Sequence, residues 1–248
     1  MSRANLVPFL IVLQVVCCML QVAEAATFNI INGCQFTVWV GVQPNAKLPV
    51  LANGGFACAS GDKVAVTAPQ GWGGRFWGRT DCKFDAAGKG LCVTGDCGNV
   101  LHCNGAGGNP PASLAEITLN GSGGLDFYDI SLVDGYNLPI SMKPIGGTGE
   151  CGATGCISDL NTKCPEALKF WSGFKVAGCK SACAAFNEPQ YCCTGAYNTA
   201  ATCPPTQYSK AFKAACPTAY SYAYDDATST FTCKALVYDI TFCPPGTA

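Results

Sequence analysis

Nineteen of the 248 residues are cysteine, and no other feature restricts the fold of this chain so strongly. What so many thiols mean depends on the compartment that holds them. The stretch CVTGDCGNVLHC, Cys92 to Cys103, poses the question most sharply, because it joins three cysteines to the chain's one histidine, His102. Its Cys-x4-Cys-x5-Cys spacing is not the Cys-x2-Cys knuckle of structural zinc. By spacing alone, a metal site, a redox centre and a disulfide framework all stay open.

The N-terminus reports the compartment. In MSRANLVPFLIVLQVVCCMLQVAEA, Arg3 supplies a positive start, Leu6 to Leu20 an apolar stretch and Ala23-Glu24-Ala25 an A-x-A cleavage site, the layout of a secretory signal peptide over residues 1–25. The apolar run is short and interrupted by Pro8 and Gln14, which disfavours the alternative of an uncleaved membrane anchor. Cleavage after Ala25 leaves 223 residues beginning ATFNIINGC, with no later segment apolar enough to span a membrane and no hydrophobic tail after CPPGTA. The expectation is a secreted, extracellular and soluble protein. Cys17 and Cys18 leave with the leader, so seventeen cysteines remain. An oxidising compartment turns these into disulfides, at most eight within the chain, with one thiol left over. His102 then reads as a loop histidine beside a bridge, and no metal or other cofactor is expected.

A chain of this length buries a real core, so the bridges reinforce a globular protein rather than replace its core. Without the leader, 14 basic and 15 acidic side chains remain, a balance that gives no reason to expect nucleic acid or an anionic membrane as partner. Strand signals dominate the N-terminal part. FTVWVGV and KVAVTAP are β-branched and aromatic and end in turn formers. In SLAEITLN, Ala115, Ile117 and Leu119 alternate with Leu114, Glu116 and Thr118, and ALVYDITFC places Leu236, Tyr238, Ile240 and Phe242 on one face. From Cys151 to Cys216 the chain instead carries nine cysteines and few alternating runs, with SACAAF and TQYSKAFKAAC as short helices. Many short strands with Gly and Pro punctuation predict a β-sandwich or barrel with a stapled loop-and-helix region attached.

ATFNIINGCQFTVW, GRFWGRTDC, GLCVTGDC, LAEITL, DFYDISLVDGYNLP, YCCTGAY, CPPTQYSKAFKAACPTAYSYAYDDATSTFTC and ITFCP, in this order, resemble the plant thaumatin-like proteins, the fifth pathogenesis-related group. The likeness runs from Ala26 to Pro245; Asn99 stands where the family usually has glycine. It implies a mainly β fold: a flattened β-sandwich (about 26–79, 111–157 and 217–248), a small disulfide-rich domain (about 80–110) and a disulfide-rich helix-and-loop domain (about 158–216). It also implies the pairs Cys34–Cys243, Cys82–Cys92, Cys97–Cys103, Cys151–Cys233, Cys156–Cys216, Cys164–Cys179, Cys183–Cys192 and Cys193–Cys203. Cys58 has no family partner and reads as a buried small apolar residue, with an intermolecular bridge as the alternative. The protein is expected to be a monomer.

The resemblance further implies a cleft lined by Arg75, Glu116, Asp129, Asp134 and Asp225, with Asp226 adjoining the last. Regular alternation puts Asp129 and Asp134 on opposite faces, so both reach one cleft only if the chain bends near Ser131 to Val133. Phe127, Tyr128 and Tyr136 offer aromatic faces for sugar rings. Two functions follow from the likeness: a secreted antifungal defence protein that binds β-1,3-glucan of fungal walls, or a weak endo-β-1,3-glucanase with Glu116 as proton donor and Asp134 as base. Against both stands the bland reading, in which these are ordinary surface residues. Sweet taste is set aside, since the sweet members are strongly basic. Asn120-Gly121-Ser122 is an N-glycosylation sequon and equally a good unmodified turn.

Overall fold

A computed structural model describes residues 25–246, so the signal-peptide reading falls outside the described residues apart from Ala25. Two sheets carry the fold. One has five strands in the order Thr154–Cys156, Ile140–Pro144, Val237–Phe242, Ala26–Asn32 and Lys63–Ala68. The other has six, in the order Phe231–Cys233, Asp126–Ser131, Leu114–Thr118, Gly73–Arg79, Val38–Pro44 and Gly55–Cys58. Among the described residues, no helix is long and apolar enough to cross a membrane.

Period-two patterning decides which faces meet. In the Ala26–Asn32 strand, Ala26, Phe28, Ile30 and Asn32 are buried while their neighbours are half-exposed. Tyr238, Ile240 and Phe242 do the same in the parallel neighbour, and Phe76, Ala115, Ile117, Tyr128 and Ile130 face them from the six-stranded sheet. Phe28 sits at the centre, with ring centroids 4.9 Å from Phe76, 5.7 Å from Trp72 and 6.0 Å from Tyr238. Asp126 is a buried carboxylate fully engaged between the sheets: it accepts from the Tyr238 hydroxyl at 2.5 Å, the Asn120 amide at 2.8 Å and the Ala235 amide at 3.2 Å.

Leu236 departs from its expected place. It is half-exposed rather than on the Tyr238 face, because the chain bends at Ala235–Leu236, where Asp126 holds the Ala235 amide, and the strand begins only at Val237. Tyr128 and Tyr136 depart from their expected place as well: both are fully buried in the core and offer no face to a ligand.

The stretch between the sandwich strands at residues 80–110 has little core of its own. Its regular structure is the two-residue pair Lys83–Phe84 with Gly90–Leu91, and bridges Cys82–Cys92 and Cys97–Cys103 close its loops. Asn99 adopts φ 63°, the left-handed conformation that suits glycine and that asparagine tolerates. His102 bonds the Gly55 carbonyl through Nδ1 at 2.8 Å. Arg79 ties this lobe to the sandwich. Its guanidinium is fully buried and donates to the carbonyls of Trp39, Val40, Val100 and Leu101 at 2.6–3.2 Å.

The helix-and-loop region holds the hairpin Lys169–Ser172 with Lys175–Cys179 and short helices at Ala182–Phe186 and Gln207–Ala215. The latter starts at Thr206, whose hydroxyl and that of Ser209 form a reciprocal capping box. Its bridges are Cys164–Cys179, Cys183–Cys192 and Cys193–Cys203. Cys156–Cys216 fastens it to the five-stranded sheet, Cys151–Cys233 ties the loop before Thr154–Cys156 to the edge strand Phe231–Cys233, and Cys34–Cys243 joins the ends of the first and last strands. These eight pairings have the same partners as the family pattern.

Cys58 is the free thiol among the described residues. It is fully buried, and burial, with Asp62 nearby, pushes its ionisation up. In the folded protein it is expected to react with a thiol reagent at least ~100-fold more slowly than in denaturant. Rapid native labelling, read by intact mass, would count against that.

Candidate functional site: an acidic groove on the six-stranded sheet

The groove begins as a row of cross-strand partners. Arg75 lies opposite Glu116, and Glu116 lies opposite Asp129, so three neighbouring strands point these side chains to the same outer face. Phe76, Ala115, Ile117, Tyr128 and Ile130 take the other phase and fill the core. The small lobe covers one end of the outer face: Trp77 and Leu114 are buried under it with Cys97, Cys103 and Ala112, and the Trp77 indole donates to Gly95 at 2.8 Å. The charged row stays open beside that cover.

Asp134 reaches the groove because the strand stops. After Ser131 the chain turns, with the Gly135 amide on the Leu132 carbonyl at 2.9 Å and the Val133 amide on the Ser131 hydroxyl at 3.3 Å. Gly135 has φ 89°, and a Cβ there would lie 2.6 Å from the Cys179 carbonyl, so this turn requires glycine. Arg75, Glu116, Asp129 and Asp134 thus line one cleft of about 370 Å³ with Ser131 and Tyr220. A second hollow of about 350 Å³ continues along the strands, sharing Glu116, Asp129 and Tyr220 and adding Asn45, Phe127 and Asp226.

Asp225 is placed differently. Its carboxylate accepts from the Ser221 amide at 2.9 Å and hydroxyl at 2.8 Å and pairs with Lys213 at 3.0 Å. It fastens the 221–229 segment to the Gln207–Ala215 helix and lines neither hollow; Asp226 does. Tyr220 was not singled out from the sequence. Its hydroxyl donates to Asp226 at 2.9 Å, and its backbone continues beside Ile130 and Leu132, bridging Ser131. The tyrosine-rich YSYAYDD run marks the segment, but nothing local in it selects Tyr220 over its neighbours.

Electrostatics divide the acids. Arg75 Nε sits 3.2 Å from Glu116 Oε1, yet burial, helped by Asp134, still pushes Glu116 above the usual carboxylate range. Burial raises Asp134 as well, against the pull of Arg75. Asp129 moves furthest, to about 8: burial comes first, then Glu116 directly opposite, and Arg75 compensates only in part. Its Oδ1 is buried without a hydrogen-bond partner among the described residues. A protonated Asp129 and the Arg75 guanidinium therefore offer donors, while Glu116 and Asp134 offer acceptors. That alternation suits a ligand whose groups both donate and accept, as hydroxyls do. Among the described residues, no three His, Cys, Asp or Glu side chains converge as a metal site. Asn120 is exposed in the turn after Leu114–Thr118.

Residues 32–244 match the Thaumatin family. Pathogenesis-related thaumatin-like protein 3.5 of Cryptomeria japonica is 60% identical over 222 residues, 90% of this chain and 91% of that protein. Pathogenesis-related protein 5 of Arabidopsis thaliana is 57% identical over 220 residues, 89% of this chain and 91% of that protein. Among solved structures, the GH family 64 laminaripentaose-producing β-1,3-glucanase of Paenibacillus barengoltzii, complexed with laminarihexaose, is similar with a TM-score of 0.54 over 88% of this chain and 75% of that one. At 11% identity this is a likeness of fold alone. The family match takes in the six-stranded sheet, most of the five-stranded sheet and both stapled lobes: the chain belongs to the thaumatin family.

Proposed function

We propose that the protein is a secreted plant-defence protein that binds β-1,3-glucan of fungal cell walls through the acidic groove and restrains fungal growth by binding. The observation that carries this reading is the row Arg75–Glu116–Asp129, closed by Asp134, in an open groove where one buried carboxylate oxygen lacks a partner. A sugar hydroxyl both donates and accepts, so it pairs with that oxygen whether or not Asp129 carries its proton, and it accepts from Arg75. Family membership supports the defence role, since the two relatives above are pathogenesis-related proteins by name. The eight bridges fit an oxidising, extracellular setting such as the apoplast.

The alternative, a weak endo-β-1,3-glucanase using Glu116 and Asp134, is favoured by the raised ionisation of Glu116 and opposed by its other neighbours. The Arg75 contact stabilises ionised Glu116, the wrong state for a proton donor, and burial also raises Asp134, the intended base. The carboxyl directly opposite Glu116 is Asp129, not Asp134.

Retention on insoluble β-1,3-glucan, oligosaccharide release and fungal growth, measured together, test the proposal. Asp134→Ala is expected to weaken retention about fivefold or more, the loss of one hydrogen bond to a charged group. Glu116→Gln, nearly isosteric, should keep both retention and antifungal effect. If it keeps retention but loses product release and all antifungal effect, hydrolysis is the mechanism. If wild type is not retained on glucan at all, the binding proposal fails.

A further inference from the structure

A third hollow opens off the groove and differs from it in chemistry. It lies in the helix-and-loop region, encloses about 360 Å³ and shares Val133, Asp134 and Ala223 with the acidic cleft. Its walls are aromatic and aliphatic, with Tyr191, Tyr208, Phe212 and Tyr222 prominent. Bridges Cys183–Cys192 and Cys193–Cys203 belong to the same wall, so the pocket is pre-formed rather than assembled on binding. Its volume falls in the range of small-molecule sites, roughly 300–1,000 Å³.

Three hydroxyls in the wall are already engaged within the fold. The Ser181 hydroxyl accepts from the Ala184 amide, the Ser209 hydroxyl is locked in the Thr206 capping box, and the Ser221 hydroxyl donates to Asp225. Asn187, Tyr191, Tyr208 and Tyr222 keep their polar ends without a side-chain hydrogen bond among the described residues, so the wall joins apolar ring surface to a few open hydrogen-bonding groups.

One ionisable carboxylate lines this pocket, and it stands where the pocket meets the groove. Asp134 makes neither a side-chain hydrogen bond nor an ion pair among the described residues; Arg75, whose charge it feels, makes its direct contact with Glu116 at 3.2 Å. We infer that this pocket binds a small amphipathic cation, its apolar ring body held among Tyr191, Tyr208, Phe212 and Tyr222 and its protonated amine on the Asp134 carboxylate. The amine gains an unshared acceptor, and the ring displaces water from apolar surface. The inference does not depend on glucan binding.

Tryptamine and indole-3-propionate, which share a ring and carry opposite charges on similar arms, test it by calorimetry at pH 7. Tryptamine is expected to saturate one site and to bind about tenfold or more tightly than the anion. Asp134→Asn should weaken tryptamine about tenfold and leave the anion no weaker. Ala184 lines the pocket but not the groove, so Ala184→Trp should abolish binding of both probes while glucan retention stays at the wild-type level. Circular dichroism checks that this variant folds, and Asp134→Asn carries the test if it does not. No saturable binding, equal affinity for the two probes, or tryptamine binding that survives Ala184→Trp would each overturn the inference. The last result would mean the acidic groove alone attracts the cation.

Discussion

Arg79→Met is expected to lower the unfolding free energy by about 3–5 kcal/mol, the cost of leaving several buried carbonyls without their donor. The guanidinium is fully buried, makes no ion pair among the described residues, and spends its donors on four backbone carbonyls and on Cys97 Sγ at 3.2 Å. Burial lowers its ionisation to about 10, and Asp96 opposes that shift only partly, so the site tolerates the charge for the sake of those carbonyls. Methionine fills similar volume but leaves the carbonyls of Val100 and Leu101 without their donor, and these hold residues 80–110 to the sandwich. Limited proteolysis should then cut first inside that lobe. Urea denaturation measures the loss; a cost below about 1 kcal/mol would show that the network is redundant.

The second large effect is expected from Asp129→Asn, and it runs towards greater stability at high pH. Unfolded, Asp129 titrates near 3.9; folded, at about 8. Between those values the native state binds the extra proton, so its stability falls as pH rises and levels off above about 8. Asparagine removes the ionisation. The variant should match wild type near pH 4 and exceed it by about 2 kcal/mol at pH 9, a figure reduced from the full shift because water reaches the groove. A stability difference that does not change with pH would show that Asp129 ionises freely.

Much of this was legible in the residues, and the failures have physical causes. Strict alternation in SLAEITL placed inner and outer faces correctly, because that strand has one face in the core. The same rule applied to DFYDIS turns Tyr128 away from Asp129 and into the core; treating its aromatics as one ligand platform ignored the pleat. Leu236 was misplaced for a related reason: alternation has no phase until the strand starts, and Asp126, more than a hundred residues away in sequence, sets that start. The bend that brings Asp134 beside Asp129 was anticipated from their spacing of five, and Gly135 supplies the turn. The choice between Asp225 and Asp226 was not legible, because it rests on Lys213 in another element capturing one of two identical neighbours.

The five-stranded sheet has a consequence for how the chain acquires its shape. Ala26–Asn32 lies between Lys63–Ala68 and Val237–Phe242, with the latter pairing parallel to it in register Thr27 to Val237. Ala26–Asn32 must therefore wait for the much later Val237–Phe242 before its second edge is covered. Until then Phe28 and Ile30 lack Tyr238 and Ile240, and Cys34 lacks Cys243, 209 residues downstream. Pairing at such separation makes folding slow and leaves an unpaired hydrophobic edge exposed during synthesis. Maturation of this protein is thus gated by Val237–Phe242, and a ribosome stalled before Val237 would present a chain whose five-stranded sheet has no way to close.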